Sequence, residues 1–299
     1  VNNLGNVLTQ AAFIGILAIG MTLVIATRGI DLSVGAVMAI CGAVSAWGIT
    51  QGYDLGSTLL MAIVAGLVCG LWNGILVSFL GIQPIVATLI LMVAGRGIAQ
   101  LITEGAILTF NDPNLIFFGS GSLFTLPMPV VIWIVTGLLI TWIVRRTALG
   151  MLIESVGINL RASTLAGINS RVLLIAVYVT SGFCAALAGI IAAADIRGAD
   201  ANNAGLWLEL DAILAVVIGG TSLLGGRFSL IASLIGAMII QAVNTGILLS
   251  GFPPEFNLVI KAAIILIILV VQSPAIRANM AFFRKAPSSD VAKKETVTQ

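Results

Sequence analysis

Histidine is absent from the 299 residues, which removes the commonest metal ligand and the side chain most often used as a general base. Charge is nearly as scarce. Charged residues make up 9% of the chain and hydrophobic residues 59%, with a mean hydropathy of +1.15. A soluble domain carries about 25% charged residues, so this composition excludes one. The net charge of +2 gives no reason to expect a nucleic-acid partner. Cys41, Cys69 and Cys184 are scattered singly through apolar runs. Their spacing fits neither a disulfide framework nor a zinc site, and they are expected to be buried thiols. No metal site is expected. The phosphate-binding pattern GxxxxGK[ST] is missing as well. GGTSLLGGR at 219–227 is Gly-rich but lacks the Lys-Ser/Thr pair, so no P-loop is expected to hydrolyse ATP here. Any energy must come from a partner or an ion gradient.

What remains is long apolar runs. A hydrocarbon core takes about 20 residues as helix. Nine runs approach that length: about 11–27, 32–50, 57–80, 84–102, 128–144, 172–194, 206–222, 229–250 and 257–276. The periods are those of spanning helices, not of alternating outer-membrane strands. The fold class is therefore an all-α polytopic membrane protein, with 1–276 as the membrane domain. The basic tail, 277–299, is expected to be disordered. Orientation follows from the basic residues. With a cytoplasmic C-terminus, the inner segments hold Arg28, Arg145, Arg146, Arg161, Arg171, Arg227, Arg277, Arg284, Lys285, Lys293 and Lys294, which is 11 of 14. The opposite segments are mostly acidic. The reverse arrangement would put nearly all of the basic residues outside.

Two stretches echo each other. NGILVS (73–78) and NTGILLS (244–250) each place an Asn in an apolar run and precede a turn containing Pro84 or Pro254. The runs before them open GIDLSVGAV (29–37) and WLELDAILAVV (207–217), each with an Asp followed by small and apolar residues. Five spans separate the two blocks. An odd number gives them opposite orientations, the signature of an inverted repeat in alternating-access transporters.

TRGIDLSVGAVMAICGA (27–43), IQPIVATLILMVAGRGIAQ (82–100), GINLRASTLAGIN (157–169) and ELDAILAVVIGGTSLLGGR (209–227) resemble the sugar permeases of bacterial ABC importers of the ribose/xylose/galactose type. ADIRGADANNAGLWLELDAI (194–213) and NTGILLSGFPPE (244–255) are similar to the galactofuranose branch. The resemblance implies a type II importer fold of ten helices in the bacterial inner membrane, one more than the nine runs and preceding Val1. It implies that this chain is not itself an enzyme. Its implied partners are an ATPase subunit holding ATP with Mg, a periplasmic sugar-binding protein and a second, related permease chain in a heterodimer. It also implies that the connector 147–170 carries a coupling helix inserted into the ATPase, with Glu154, Gly157, Asn159, Arg161 and Gly167 as its residues.

Several polar residues have two open roles. Asp31, Glu209 and Asp211 stand at the starts of runs, where a carboxylate either caps a helix or faces a substrate path or gate. Arg96 either snorkels to the interface or contacts the sugar or the binding protein. Asn73, Gln241 and Asn244 either bond between helices or line the path. Asp195, Arg197 and Asp200 lie in the outer connector, either solvated or docking the binding protein. Gly66, Gly70 and Gly74 recur every fourth residue and point to close helix packing. The scarcity of aromatics, 6%, argues against a tight sugar-stacking pocket. The expected function is ATP-driven import of a monosaccharide, galactofuranose, with another sugar of the same type as the alternative. An ion-coupled secondary transporter is a competing class. An intramembrane enzyme is disfavoured by the absence of His and of clustered carboxylates.

Overall fold

Each of the nine runs contains a helix in the computed structural model, which describes residues 2–250 and 256–272. The helices in chain order are α1 (Asn2–Ala26), α2 (Val34–Thr50), α3 (Leu55–Ser78), α4 (Pro84–Ile102), α5 (Pro113–Ser120), α6 (Met128–Arg146), α7 (Leu149–Ile158), α8 (Leu160–Leu165), α9 (Ser170–Ile196), α10 (Leu208–Ile218), α11 (Leu230–Leu249) and α12 (Phe256–Gln272). Among the described residues, six helices are long and apolar enough to cross a membrane: the Gly5–Ala26 part of α1, and α3, α4, α6, α9 and α11. Helices α2, α10 and α12 are shorter, at 17, 11 and 17 residues. The turn at Pro254 and the basic tail 277–299 lie outside the described residues.

Local chemistry sets most of the boundaries. Pro84 opens α4 and Pro113 opens α5, at the one helical position where a missing N–H costs nothing. The Asp54 side chain accepts from the Ser57 N–H to cap α3, and Asp112 accepts from Asn114 and Leu115 to cap α5. Between α4 and α6, the connector 103–127 is only partly loop. It holds α5, the strand β1 (Leu108–Thr109) and the hairpin of β2 (Ser122–Leu123) with β3 (Leu126–Pro127). Strand β1 pairs antiparallel with β4 (Gly198–Ala199), stitching this connector to the one after α9.

The chain divides into two units, Val1–Gly246 and Ile247–Gln299. In the first, α9 is the hub and packs along α1, α2, α3 and α5. The expected glycine stripe is the reason α3 comes so close. A Cβ at Gly66 would lie 2.6 Å from the Gly182 carbonyl oxygen, a Cβ at Gly70 would run into the Tyr178 carbonyl, and one at Gly74 would sit 2.9 Å from Ile175 Cα. Small faces of this kind let backbones touch. Of the six long helices α1 is the most enclosed and α4 the least. The outer faces of α3 and α4 expose Leu60, Val68, Trp72, Ile90 and Val93, a surface made for lipid or for another subunit. In the second unit, α12 is an apolar helix carrying Lys261.

Candidate translocation site

Two polar clusters lie between apolar helices at different levels of the first unit. The first is closed. The turn from α1 to α2 presents Asp31, which is 3% exposed. Its Oδ1 accepts from the Ser33 backbone N–H at 3.0 Å and the Ser33 hydroxyl at 2.6 Å, and its Oδ2 accepts from the Ser181 hydroxyl of α9 at 2.7 Å. Asn73 of α3 donates to Ser33 Oγ at 2.8 Å. Asp31 therefore ties α2, α3 and α9 together through two serines. Ser33 is the N-cap residue of α2 but makes no side-chain capping bond. The Asn73 carbonyl oxygen and the Tyr178 hydroxyl are buried beside this network without a partner. The sequence singled out Asp31 and Asn73. Ser181 and Tyr178 gave no signal, because a serine or tyrosine in an apolar helix reads as packing.

The second cluster is open. A cleft of about 260 Å³, large enough for a small solute rather than a few waters, is walled by five helices, with Met38 of α2 among its apolar lining. Gln10 and Phe13 come from α1, Asp195 from the end of α9, Asp211 from α10, and Gln241 and Asn244 from α11. Gln241 donates to the Gln10 side-chain carbonyl at 2.6 Å and to Thr245 Oγ at 3.3 Å. The Asn244 side-chain oxygen is buried and lacks a hydrogen-bond partner. Amides donate and accept, and carboxylates accept, so the lining can address a ligand with many hydroxyls. Gln10 was missed at the sequence level because it lies in a polar lead-in, whereas α1 begins at Asn2 and so includes it.

Glu209 and Asp211 open α10 together but diverge. Asp211 lines the cleft, while the buried Glu209 packs against Gly35 of α2, with its Oε2 unpartnered and Arg96 within electrostatic reach. Arg96 holds a loop: its guanidinium donates to the carbonyls of Ala201 and Ala204. Gln100 adds a bond to Asn202 at 2.8 Å. In that same loop Asp200 accepts from the N–H groups of Asn202 and Asn203 and from the Asn203 amide. The Asn203 side chain leads in holding its carboxyl below the usual carboxylate range. Arg197 closes α9 in the left-handed region at φ 54° and is exposed, as is Asp195. Asp195 thus reaches the cleft while Asp200 is occupied within its own turn.

At the opposite end of α9, the connector 147–170 folds as α7 and α8. Asn159 caps α8 by accepting from the Ala162 N–H at 3.0 Å. Gly167, at φ +89°, ends it, with Gly167 N–H on Thr164 O and Ile168 N–H on Ser163 O. This 6→1 and 5→2 pair is a Schellman ending. The six-residue helix is thus fixed at both ends, and it displays Arg161 and Leu165, the latter 90% exposed. Glu154 lies half-buried on α7. Gly157 is buried, and its Cα abuts the Ala26 carbonyl with no room for a Cβ.

A bundle of apolar helices around a cleft that sets a few polar groups in an apolar lining, with a short capped helix displayed at one end, fits a permease. The model of the family described as "branched-chain amino acid transport system / permease component" matches residues 3–269, and the chain belongs to that family. It is 65% identical over 268 residues to the galactofuranose transporter permease protein YtfT of Escherichia coli strain K12, covering 90% of this chain and 79% of that one. It is 44% identical to the fructose import permease protein FruF of Bifidobacterium longum, covering 91% and 79%. It is 38% identical to the ribose import permease protein RbsC of E. coli K12, covering 91% and 86%. No solved structure matches.

Proposed function

We propose that this chain is the membrane-spanning subunit of an ATP-driven importer and carries galactofuranose from periplasm to cytoplasm by alternating access. The cleft of Gln10, Asp195, Asp211, Gln241 and Asn244 is the observation that carries the reading. It offers donors and acceptors but a single ring, Phe13, so it holds a sugar weakly and releases it. The 65% identity to a galactofuranose permease supports the substrate, with fructose or ribose as the alternative cargo carried by the more distant relatives.

In this reading all nine runs span the bacterial inner membrane. Helices α2, α10 and α12 are half-spans or tilted spans, the C-terminus is cytoplasmic, and the blocks containing Asn73 and Asn244 are inverted copies. The ends bearing Arg28, Arg161 and Arg227 face the cytoplasm. There α8 inserts Leu165 and Arg161 into a groove on an ATPase subunit that holds ATP with Mg. Asp195, Arg197 and the loop bearing Asp200 meet the sugar-binding protein. A second, related permease covers part of the apolar flank. ATP-driven closure of the ATPase pair moves the coupling helices together and switches the open side of the path.

Uptake of labelled galactose, whose solution equilibrium includes the furanose, tests the reading in proteoliposomes holding the assembled complex. Gln241→Ala and Asn244→Ala should each raise the apparent KM roughly fivefold, the worth of about 1 kcal/mol per hydrogen bond. Uptake that proceeds without the ATPase subunit would overturn the ATP-driven reading in favour of ion coupling.

A further inference from the structure

Movement of the coupling helix has to reach the cleft through contacts. Helix α8 packs on little besides α7 and α9. At the C-terminus of α7 the connector meets two other elements at one point. Arg28, just past α1, donates from Nη2 to the Ile158 carbonyl at 2.6 Å. The Ala26 carbonyl at the end of α1 presses on Gly157 and accepts from the Gly226 N–H at 2.9 Å. Gly225 packs on the Arg28 side chain, and a Cβ on Gly226 would lie 3.3 Å from Ile158. The elements joined here are α1, the coupling connector and the α10–α11 loop. Three of the five walls of the cleft belong to them: Gln10 on α1, Asp211 on α10, and Gln241 and Asn244 on α11. From Ala26 to Gln10, α1 is one uninterrupted helix of roughly 24 Å at 1.5 Å per residue.

The backbone at Arg28 is a second, independent signal. Helix α1 ends in a Schellman arrangement, with Arg28 N–H on Ile25 O and Gly29 N–H on Val24 O. Its left-handed position, φ 65°, is held by Arg28, where glycine is the usual occupant. A non-glycine residue there is strained, and strain of this kind is tolerated where the surroundings or the function require the side chain. The side chain retained at this position is the one that reaches Ile158.

We propose that Arg28 is a positioning residue that clasps the coupling connector to α1 and to the Gly225–Gly226 loop, so that motion of the connector moves three walls of the cleft together. This rests on the reading of α8 as the coupling helix. The test is Arg28→Gly in the complex with its ATPase subunits, partner permease and binding protein. Glycine relieves the left-handed strain but removes the bond to Ile158. A purely structural arginine and a clasp therefore give opposite results. The clasp predicts an assembled complex whose melting temperature is unchanged or higher and which still hydrolyses ATP. Galactose taken up per ATP should fall roughly fivefold or more, and Arg28→Lys should recover much of the loss. An unchanged uptake-to-hydrolysis ratio, or a complex that melts earlier or fails to assemble, overturns it. Leu165→Cys separates this from the underlying reading. If that cysteine cannot be cross-linked to the ATPase subunit, the coupling assignment fails by itself. If it can, the Arg28 result bears on the clasp alone.

Discussion

At the scale of single residues, the contrast lies between satisfied and waiting polar groups. Both oxygens of Asp31 are engaged, by Ser33 and Ser181, and these bonds link the start of α2 to α9. Replacing it by Leu strands two buried hydroxyls and should destabilise the detergent-solubilised protein by roughly 2–4 kcal/mol. Asp31→Asn keeps one acceptor and should cost clearly less, read as melting temperatures side by side. Asp200 carries a pH signature. Its carboxyl is held below the ordinary range chiefly by the Asn203 amide. A lowered folded-state pKa contributes stability that is complete above the unfolded value, about 3.9, and lost only as pH falls through the lower folded value. Amide exchange at Asn202 and Asn203 should therefore remain protected into acid, and Asn203→Ala should shift the loss of protection to higher pH.

At the scale of elements, helix contact and helix propensity pull glycine in opposite directions. On α3, Gly70 lies against the backbone of α9 with no room for a side chain. Gly70→Val should cost at least 1–3 kcal/mol of overpacking and lower the yield of folded protein. On α4, a Cβ at Gly97 would meet nothing within 4 Å, and Gly97→Ala should stabilise by about 0.5–1 kcal/mol through helix propensity. Equal melting shifts for the two would contradict the packing account. The stripe at 66, 70 and 74 was readable because its four-residue period is a property of a single helix. The fold of the connectors was not. Strand β1 becomes a strand only because Gly198–Ala199 lies beside it, a pairing across some ninety residues that no local pattern announces.

At the scale of the whole molecule, the proposed reading gives both the apolar flank on α3 and α4 and the displayed α8 a partner outside the chain. Purification from native membrane should bring down an ATPase subunit and a second permease sequence, identified by mass spectrometry. Recovery of only this chain with an ATPase would remove the heterodimer. Single cysteines at Arg146 and Asp112, tested with a membrane-impermeant thiol reagent, should label from opposite sides. Labelling from the same side would overturn the orientation inferred from the basic residues.

The sequence alone determined the class and the helical runs, because hydropathy is summed along a chain and needs no partner. It marked Asp211, Gln241 and Asn244 as costly polar groups in apolar surroundings, since burying an amide or carboxylate is expensive wherever the chain goes. Only the tertiary structure decided which of them meet. It turned Asp211 into the cleft and Glu209 toward Gly35, gave Arg96 to the carbonyls of Ala201 and Ala204, and supplied Gln10 from 231 residues away as the partner of Gln241. The physical reason is direction. A helix fixes how often a side chain recurs, but which way it faces is set by the neighbours whose close approach the glycines of α3 and α9 permit.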